Sequence, residues 1–268
     1  MATKKKKHPK THKMKKRYWI YAVELLILLI LIPIGFIVYK ISQIQTYSMD
    51  KSVIQENEYN DPNISNYTNI ILFGVDSRAN ELTKKTRTDS IILASINNKT
   101  KEVQLSSIYR DTFVYIADHG YTKLNHAYAY GGHELALSTI NKNFDLNVKD
   151  FITVNFSALS NVIDALGGVD IKITKDELHY VNAYAKDVAK INGTTVKKIK
   201  KPGLQTLSGV QATGYCRVRY TAGGDFTRAQ RQRTVLEQIV KKAKAANPIT
   251  LYNVCLLYTS DAADEARS

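Results

Sequence analysis

The chain has 268 residues, of which 44% are hydrophobic and 23% are charged, and it contains five prolines. This composition is typical of a globular protein and excludes wholesale disorder and collagen-like sequence. Two cysteines are too few for a disulfide-stapled mini-protein or an all-cysteine zinc site.

The formal net charge of +14 is unevenly distributed along the chain. Residues 1–17 form a basic tail with eight lysines, one arginine and no acidic residue, which leaves only +5 for the rest. A nucleic-acid-binding domain carries a basic patch or stripe on its folded surface. The charge distribution therefore argues against a uniformly basic nucleic-acid binder, and no nucleic-acid partner is expected.

The tail is followed by an apolar stretch, Tyr18–Tyr39, in which Glu24 is the one charged residue. At about 1.5 Å per residue it reaches about 33 Å, enough to cross a bilayer core. A cleaved signal peptide has a shorter apolar core and a small-residue cleavage site, and a buried core helix does not normally follow nine cations. We therefore predict a single uncleaved transmembrane anchor at 18–39, with the tail in the cytoplasm and the remainder of the chain outside the membrane.

Beyond the anchor, the sequence predicts three further regions. Residues 40–67 are polar and are expected to form an extracytoplasmic stalk or linker. Residues 68–254 are expected to form the folded domain, which is long enough to bury its own core. In the last region, 255–268, the run Cys255–Glu265 resembles the translation of a transposase adapter used in sequencing libraries. We expect this region to be read-through and the domain to be truncated at its C-terminus.

Strand and helix signals alternate within the domain. Apolar runs predict strands at Asn69–Val75, Ser90–Asn97, Glu102–Ile108, Phe151–Asn155 and Val169–Ile173, with a hairpin joining the second to the third. Helical patterns predict helices at His133–Phe144, from Ser157 as N-cap to Leu166, at Ser208–Tyr215, and from Asp225 as N-cap to about Ala246. Residues 175–201 are predicted to be a polar excursion, and Arg217–Tyr220 to be extended. The order predicts an α/β protein, an α/β/α sandwich with a mixed central sheet, preceded by one transmembrane helix.

The arginines of the domain fall in two stretches, whereas the lysines are scattered. Arginine is preferred where a planar fork must grip phosphate or carboxylate. Three alternating pairs, Asp76-x-Arg78, Arg87-x-Asp89 and Arg217-x-Arg219, place two charged groups on one face of an extended chain. On the last predicted helix, Asp225, Arg228 and Gln232 share one face near the N-terminus, where anions are favoured. The full set of arginines is 78, 87, 110, 217, 219, 228, 231 and 233.

Intramolecular salt bridges are the simplest alternative, and Asp76–Arg87 and Asp89–Arg110 are the pairs that it suggests. The arginines outnumber the nearby acids, however, so the set favours an anionic ligand. A divalent cation on two of the carboxylates would fit such a ligand, because Mg²⁺ typically binds one or two carboxylates and substrate phosphates.

Seven motifs in series resemble the LytR-CpsA-Psr family over about residues 69–240. They are ILFGVDSR, TRTDSIILASIN, SIYRDT, KLNHAYAYGG, NFSALSNVIDALGGVDI, GLQTLSGVQATGYCRVRY and GGDFTRAQRQR. The resemblance implies an extracytoplasmic, Mg²⁺-dependent phosphotransferase. Such an enzyme moves a glycopolymer, of teichoic acid or capsule type, from an undecaprenyl-pyrophosphate carrier onto peptidoglycan through a phosphodiester bond.

The resemblance also implies roles for particular residues. Asp76 and Asp89 match the Mg²⁺-binding acids, and Asp225 matches an acid near the phosphates that is proposed as the base for the acceptor hydroxyl. Arg110 is assigned both to binding and to catalysis, because it would neutralise the charge of the reacting phosphate. The pyrophosphate-binding set is Arg87, Arg110, Arg217, Arg219, Arg228 and Gln232, with Arg78 added on the charge argument.

The sequence is also compatible with three other functions. A non-enzymatic binder of polyprenyl-pyrophosphate or wall polymer would keep the arginines without needing paired acids. A transcription regulator would need its domain on the other side of the membrane from the one predicted. A lipid pyrophosphatase would use water as the acceptor. An apolar tunnel for the lipid is also expected, with candidate lining residues Phe151, Val154, Phe156, Leu159, Val162, Ile163 and Leu166, although the same pattern fits an ordinary core.

Overall fold

The computed structural model describes residues 18–29, 31–32, 35, 66–75 and 86–254. Residues 18–29 are helical, and their side chains are exposed with the exception of a half-buried Val23. None of the helices in the described ranges has the length and apolar character needed to span a bilayer. The predicted anchor at 18–39 includes residues outside the described ones and stays a prediction.

A mixed sheet forms the centre of the domain. Its four strands are β1 (Tyr67–Val75), β2 (Thr88–Asn97), β3 (Val103–Ser107) and β6 (Asp150–Val154), in the order β3-β2-β1-β6. Strand β1 pairs antiparallel with β2 and parallel with β6. The predicted hairpin and the mixed α/β class are thereby confirmed.

Two smaller sheets accompany the central one. Strands β4 (Phe113–Ile116) and β5 (Gly120–Lys123) form an antiparallel hairpin between β3 and the first domain helix. Strands β7 (Val169–Ile173) and β8 (Gly203–Leu207) form an antiparallel pair further along the chain. Of these four strands, only β7 was predicted from the sequence.

Both faces of the central sheet are covered. Neighbouring side chains of a strand point to opposite faces, and adjacent Ile91 and Ile92 of β2 are only 3% and 2% exposed. Strand β1 buries alternate residues, Ile71, Phe73 and Val75, in a core that includes Leu137 and other side chains of the first domain helix. This two-sided burial is what a layered α/β arrangement requires.

Five helices complete the described domain. They are α1 (Asn125–Phe144), α2 (Phe156–Ala165), α3 (Lys175–Ile191), α4 (Gly209–Arg217) and α5 (Gly224–Ala245), and residues 248–254 are helical as well. Helix α1 contains a kink, because Gly131 and Gly132 have non-helical backbone angles and Gly132 has a φ of 70°. The helix begins at Asn125 and not at His133, where the sequence pattern predicts its start.

Helix α3 corrects the expectation of a polar excursion over 175–201. One face of the helix is buried through Val181, Ala185, Val188 and Ala189, at helical spacing, while its lysines lie on the exposed face. A capping box fixes its start, since the side chains of Thr174 and Glu177 each bond the other residue's backbone. The high lysine content concealed a short apolar stripe.

The caps of two other helices also differ from the expectation. The side chain of Asn155, rather than that of Ser157, caps α2 by accepting from the Ala158 backbone N–H at 2.8 Å. Gly223, with a φ of 90°, is the N-cap of α5, so Asp225 lies in the first turn instead of at the cap. An acid in the first turn still faces the positive end of the helix dipole.

Candidate functional site

The site begins at an irregularity between β1 and β2. Val75 pairs with Thr88 while Gly74 pairs with Ser90, so Asp89 is the extra residue of a bulge. A bulge changes the direction of a side chain that the regular alternation would otherwise fix. Asp89 consequently lies at the end of the sheet where the parallel strands β1 and β6 have their carboxyl ends. Asp76 and Arg78, which follow β1, lie outside the described residues, so their predicted roles stay predictions.

Asp89 forms an ion pair with Arg110. Arg110 lies in the turn between β3 and β4, where its backbone carbonyl accepts a hydrogen bond from Asn125 at 2.9 Å. Its Nε is 3.8 Å from Asp111, which in turn lies 3.1 Å from the ammonium group of Lys123. The pairing of Asp89 with Arg110, one of the salt bridges weighed from the sequence, is thus observed.

A second group of charged residues comes from the end of α4 and the start of α5. Arg217 is the last residue of α4, and Val218 after it is extended. This differs from the expectation that Arg217 opens an extended segment. Asp225 lies 3.8 Å from Arg219 Nε and 3.6 Å from Arg228, measured from its Oδ1. Arg228 also donates to the backbone carbonyl of Asp89 at 3.3 Å, which joins the two groups.

These residues surround a cavity of about 210 Å³. Five of its lining residues were predicted from the sequence as site residues, namely Asp89, Arg217, Arg219, Arg228 and Gln232. The other four are Phe156, Tyr184, Cys216 and Tyr220. Arg110 and Asp225 do not line the cavity themselves, but each forms an ion pair with a residue that does. Arg87 is exposed and does not line the cavity.

Arg217 is held by aromatic side chains. Its guanidinium carbon lies 4.8 Å from the centre of the Phe156 ring and 5.3 Å from that of Tyr184, distances at which a cation is attracted to the ring faces. Its buried Nη1 has no hydrogen-bond partner among the described residues. A buried, unpartnered guanidinium nitrogen carries an energetic cost, which an anionic ligand in the cavity would remove.

Arg228 is likewise only partly satisfied by its contacts with protein groups. Its side chain is 7% exposed, and its Nε has no hydrogen-bond partner among the described residues. Burial, together with the charges of Arg219 and Arg110, lowers the pKa of Arg228 from its ordinary value, against the opposing effect of Asp225 and Asp89. The cavity therefore concentrates positive charge that its own acids do not fully balance.

Two arginines of the set have a structural role instead. Arg231 is 3% exposed, and it bonds Glu177 at 2.8 Å, the Val218 carbonyl at 3.0 Å and the Thr221 hydroxyl at 2.6 Å. Arg233 donates to the Ser107 hydroxyl at 2.7 Å and also contacts Gln230. Arg231 in particular fixes the backbone around Arg219, so it contributes to the site by positioning.

The residues that sequence reasoning missed at the cavity are mainly aromatic. Tyr184 was missed because it lies in α3, and the spacing of Val181, Ala185 and Val188 was the signal that could have placed it. Of the candidate tunnel residues, Phe156 lines the cavity, while Ile163 is fully buried in the core beneath α4. Phe151 and Leu159 pack against the two main cores. Cys216 is buried, and burial raises the pKa of its thiol to about 12, so this residue is an inert part of the wall.

Comparison with known proteins identifies the family of this chain. Residues 36–264 match the model of the LytR_cpsA_psr family, a range that overlaps the predicted read-through region, whose nature stays a prediction. The chain is 34% identical over 206 residues to the polyisoprenyl-teichoic acid–peptidoglycan teichoic acid transferase TagT of Bacillus subtilis. That alignment covers 76% of this chain and 61% of TagT, so the chain spans about three fifths of that relative.

A second transferase and a solved structure are similar to this chain over about the same share of its length. The chain is 30% identical over 220 residues to the transferase TagU of Enterococcus faecalis, covering 80% of this chain and 67% of TagU. The fold also matches the solved structure of YwtF (TagT) with bound octaprenyl pyrophosphate lipid, with a TM-score of 0.54 and 30% identity. That match covers 77% of this chain and 78% of the other. The chain belongs to the LytR_cpsA_psr family, because the family model matches most of its length.

Proposed function

We propose that this protein is a membrane-anchored phosphotransferase that moves a glycopolymer from an undecaprenyl-pyrophosphate carrier onto peptidoglycan. The cavity carries the proposal, because the buried Arg228 and the half-buried Arg217 in it each have a guanidinium nitrogen without a partner among the described residues. The names of TagT and TagU supply teichoic acid as cargo and peptidoglycan as acceptor. The octaprenyl pyrophosphate bound to YwtF supplies the class of carrier. A capsule-type polymer remains within the proposed cargo class.

In the proposed reaction, an acceptor sugar hydroxyl attacks the phosphorus that carries the glycopolymer. The P–O bond to the lipid phosphate breaks, which gives a phosphodiester and a lipid monophosphate. Arg217, Arg219 and Arg228 neutralise the phosphate oxygens and hold the phosphorus in line for attack. Asp225, beside Arg219 and Arg228, accepts the proton of the acceptor hydroxyl.

Magnesium is the proposed cofactor, and Asp76 and Asp89 would hold it. Asp89 is a 27% exposed carboxylate lining the cavity, which suits a hard cation. Among the described residues no group of three or more potential ligands is close enough to hold a metal. One or two carboxylates with substrate phosphates are sufficient for Mg²⁺, and the ion when bound would neutralise charge on the phosphates.

The lipid chain is proposed to leave the cavity on its aromatic side. Phe156 and Tyr184 are half-buried there, and each buried methylene of the lipid is worth about 0.8 kcal/mol. The anchor at 18–39 and the basic tail would place the domain on the outer side of the membrane, where the acceptor polymer is found. The domain would thus meet a lipid in the bilayer and a glycan outside it.

The proposal is tested with the full chain in detergent, a polyprenyl-pyrophosphoryl saccharide, a peptidoglycan oligomer and Mg²⁺. Mass spectrometry should find the saccharide joined to the glycan by a phosphodiester. Asp225→Asn should retain lipid binding and lose at least about tenfold in kcat, since one positioned base contributes about 10²–10⁴-fold. Asp176→Asn is the matched control, because Asp176 is an exposed acid in the first turn of α3.

The competing functions give different products. Tight lipid binding without product would mean a non-enzymatic binder, and lipid monophosphate formed equally without acceptor would mean a pyrophosphatase. Either result would overturn the proposed transfer. Unchanged kcat in Asp225→Asn would overturn the role of that residue alone.

A further inference from the structure

An exposed pair of aromatic side chains lies beside the charged residues of the site. Tyr109 directly precedes Arg110, and Phe226 directly follows Asp225. Their ring centres are 4.7 Å apart in an edge-to-face arrangement. Tyr109 is 41% exposed and Phe226 is 68% exposed, so both rings present a large surface to water.

Core packing does not account for this pair. On α5, the buried residues that follow are Arg228, Ala229 and Arg231, and Phe226 points away from them into solvent. Leaving two large rings exposed and adjacent is unfavourable, since apolar surface in water costs about 25 cal/mol per Å². Contiguous exposed apolar surface commonly marks a binding site.

The pair also does not serve mainly to hold the local backbone. The turn at Tyr109 is closed by the Thr112 N–H donating to the Tyr109 carbonyl at 3.0 Å, and the Leu124 N–H donates to the Thr112 carbonyl at 2.9 Å. The start of α5 is closed by the Thr227 hydroxyl donating to the Ala222 carbonyl at 2.7 Å. Both segments are fixed by hydrogen bonds that do not involve the rings.

Neither ring lines the cavity, but each is next in sequence to a charged residue that forms an ion pair with a lining residue. Asp225 contacts Arg219 and Arg228, and Arg110 contacts Asp89. Arg219, Arg228 and Asp89 all line the cavity. The two aromatic residues are therefore adjacent in sequence to Arg110 and Asp225, the residues assigned to catalysis. Phe156 and Tyr184, on which the lipid is proposed to lie, contact Arg217 instead.

We propose that Tyr109 and Phe226 form a stacking subsite for a sugar ring of the acceptor glycan. This inference rests on the proposed function and specifies how the second substrate is held. The apolar C–H face of a pyranose lies against an aromatic ring without needing a charge, and this leaves its hydroxyls at the edge free. A sugar ring stacked on this pair would present a hydroxyl to Asp225, next to the phosphates held by Arg219 and Arg228.

The test uses the full chain and measures KM separately for the lipid-linked donor and for a soluble peptidoglycan oligomer. Tyr109→Ala and Phe226→Ala should each raise the acceptor KM about five- to tenfold, the size expected for loss of an aromatic contact. The donor KM, kcat and urea midpoint should stay near those of the wild type. Phe226→Tyr keeps a ring and should restore the acceptor KM.

Tyr67→Ala is the matched control, because Tyr67 is a 37% exposed tyrosine at the other end of β1 and should change nothing. A rise in the donor KM alone would assign the rings to the donor sugar and overturn the proposal. A joint fall in stability and in both substrate affinities would show a structural latch, which also overturns it.

A titration of the peptidoglycan oligomer without donor separates this inference from the proposed function. Calorimetry should show binding to the wild type that weakens about five- to tenfold in Phe226→Ala. If no transfer occurs but this difference is seen, the proposed reaction fails while the subsite stands. If transfer occurs and the two chains bind the oligomer equally, the subsite fails while the reaction stands.

Discussion

The arginines of this chain differ in role although they are identical in type, and the difference lies in their partners. Arg217 and Arg228 have guanidinium nitrogens without partners among the described residues, and they line the cavity. The side chain of Arg231 instead forms hydrogen bonds with protein groups of Glu177, Val218 and Thr221. Sequence counting identified the excess of arginine over acid, but it could not assign each arginine to ligand or to scaffold, because that depends on contacts between distant residues.

The Glu177–Arg231 pair predicts a large effect on stability at the residue scale. Glu177→Gln would leave the buried Arg231 without its counter-charge, and breaking a buried pair from one side costs about 3–5 kcal/mol. Urea unfolding should show this loss in the free energy of unfolding. Asp170→Asn is the control, because Asp170 forms a half-exposed ion pair with Lys242, and it should cost far less.

The same pair predicts the pH dependence of that effect. Burial by itself would raise the pKa of Glu177, but hydrogen bonds from the Thr174 backbone and from Arg231 outweigh it and lower the pKa from its ordinary value of 4.5. The stabilisation is therefore complete above pH 4.5 and is lost as the pH falls through the lower folded-state value. The difference in the free energy of unfolding between the wild type and Glu177→Gln should become smaller at acidic pH. A constant difference from about pH 7 to about pH 3.5 would contradict this explanation.

At the scale of elements, helix α4 is the part that directs Arg217 into the cavity. Its first residue is Gly209, where an added Cβ would lie 2.0 Å from the Ser160 carbonyl oxygen. At Gly214, an added Cβ would lie 2.6 Å from the Ala185 backbone nitrogen. The helix can approach α2 and α3 this closely only because these positions lack side chains. Arg217 follows at its C-terminal end.

Gly214→Ala should therefore affect both stability and the site. The backbone of α3 cannot yield as a flexible side chain would, so overpacking should cost about 1–3 kcal/mol in the free energy of unfolding. The displaced helix should also weaken pyrophosphate-lipid binding through Arg217. Ala183→Ser, which adds a single atom on the exposed face of α3, is the control for both measurements. Wild-type stability in Gly214→Ala would show that the helices separate without cost.

Local pattern was sufficient for some elements and failed for others. Strands β1, β2 and β7 were predicted because their apolar residues are continuous or strictly alternating. Helix α3 was missed because its buried stripe is narrow among lysines, and β8 because it follows that same region. The N-cap of α2 was misplaced by two residues, since Asn155 and Ser157 are both good caps and only the fold decides between them.

At the scale of the whole molecule, the sheet explains why distant motifs converge. Parallel pairing of β1 with β6 brings their carboxyl ends to one edge, and the bulge before Ser90 places Asp89 there. Residue 89 and residue 228 are 139 positions apart and are joined by a hydrogen bond. The mixed α/β class, five of the charged and polar lining residues, and Phe156 as a candidate lining residue could be predicted from sequence, whereas Tyr184 and Tyr220 depended on tertiary packing.

The arginine-lined cavity is proposed to bind the pyrophosphate of a lipid carrier. The most direct test is a calorimetric titration of the full chain in detergent with octaprenyl pyrophosphate, comparing wild type, Arg228→Gln and Arg233→Gln. Loss of a charge-assisted hydrogen bond at a buried site should raise the Kd of Arg228→Gln at least about tenfold. Arg233, which bonds Ser107 outside the cavity, should be replaceable without a change in Kd. An equal Kd for the wild type and Arg228→Gln would contradict the assignment of this cavity.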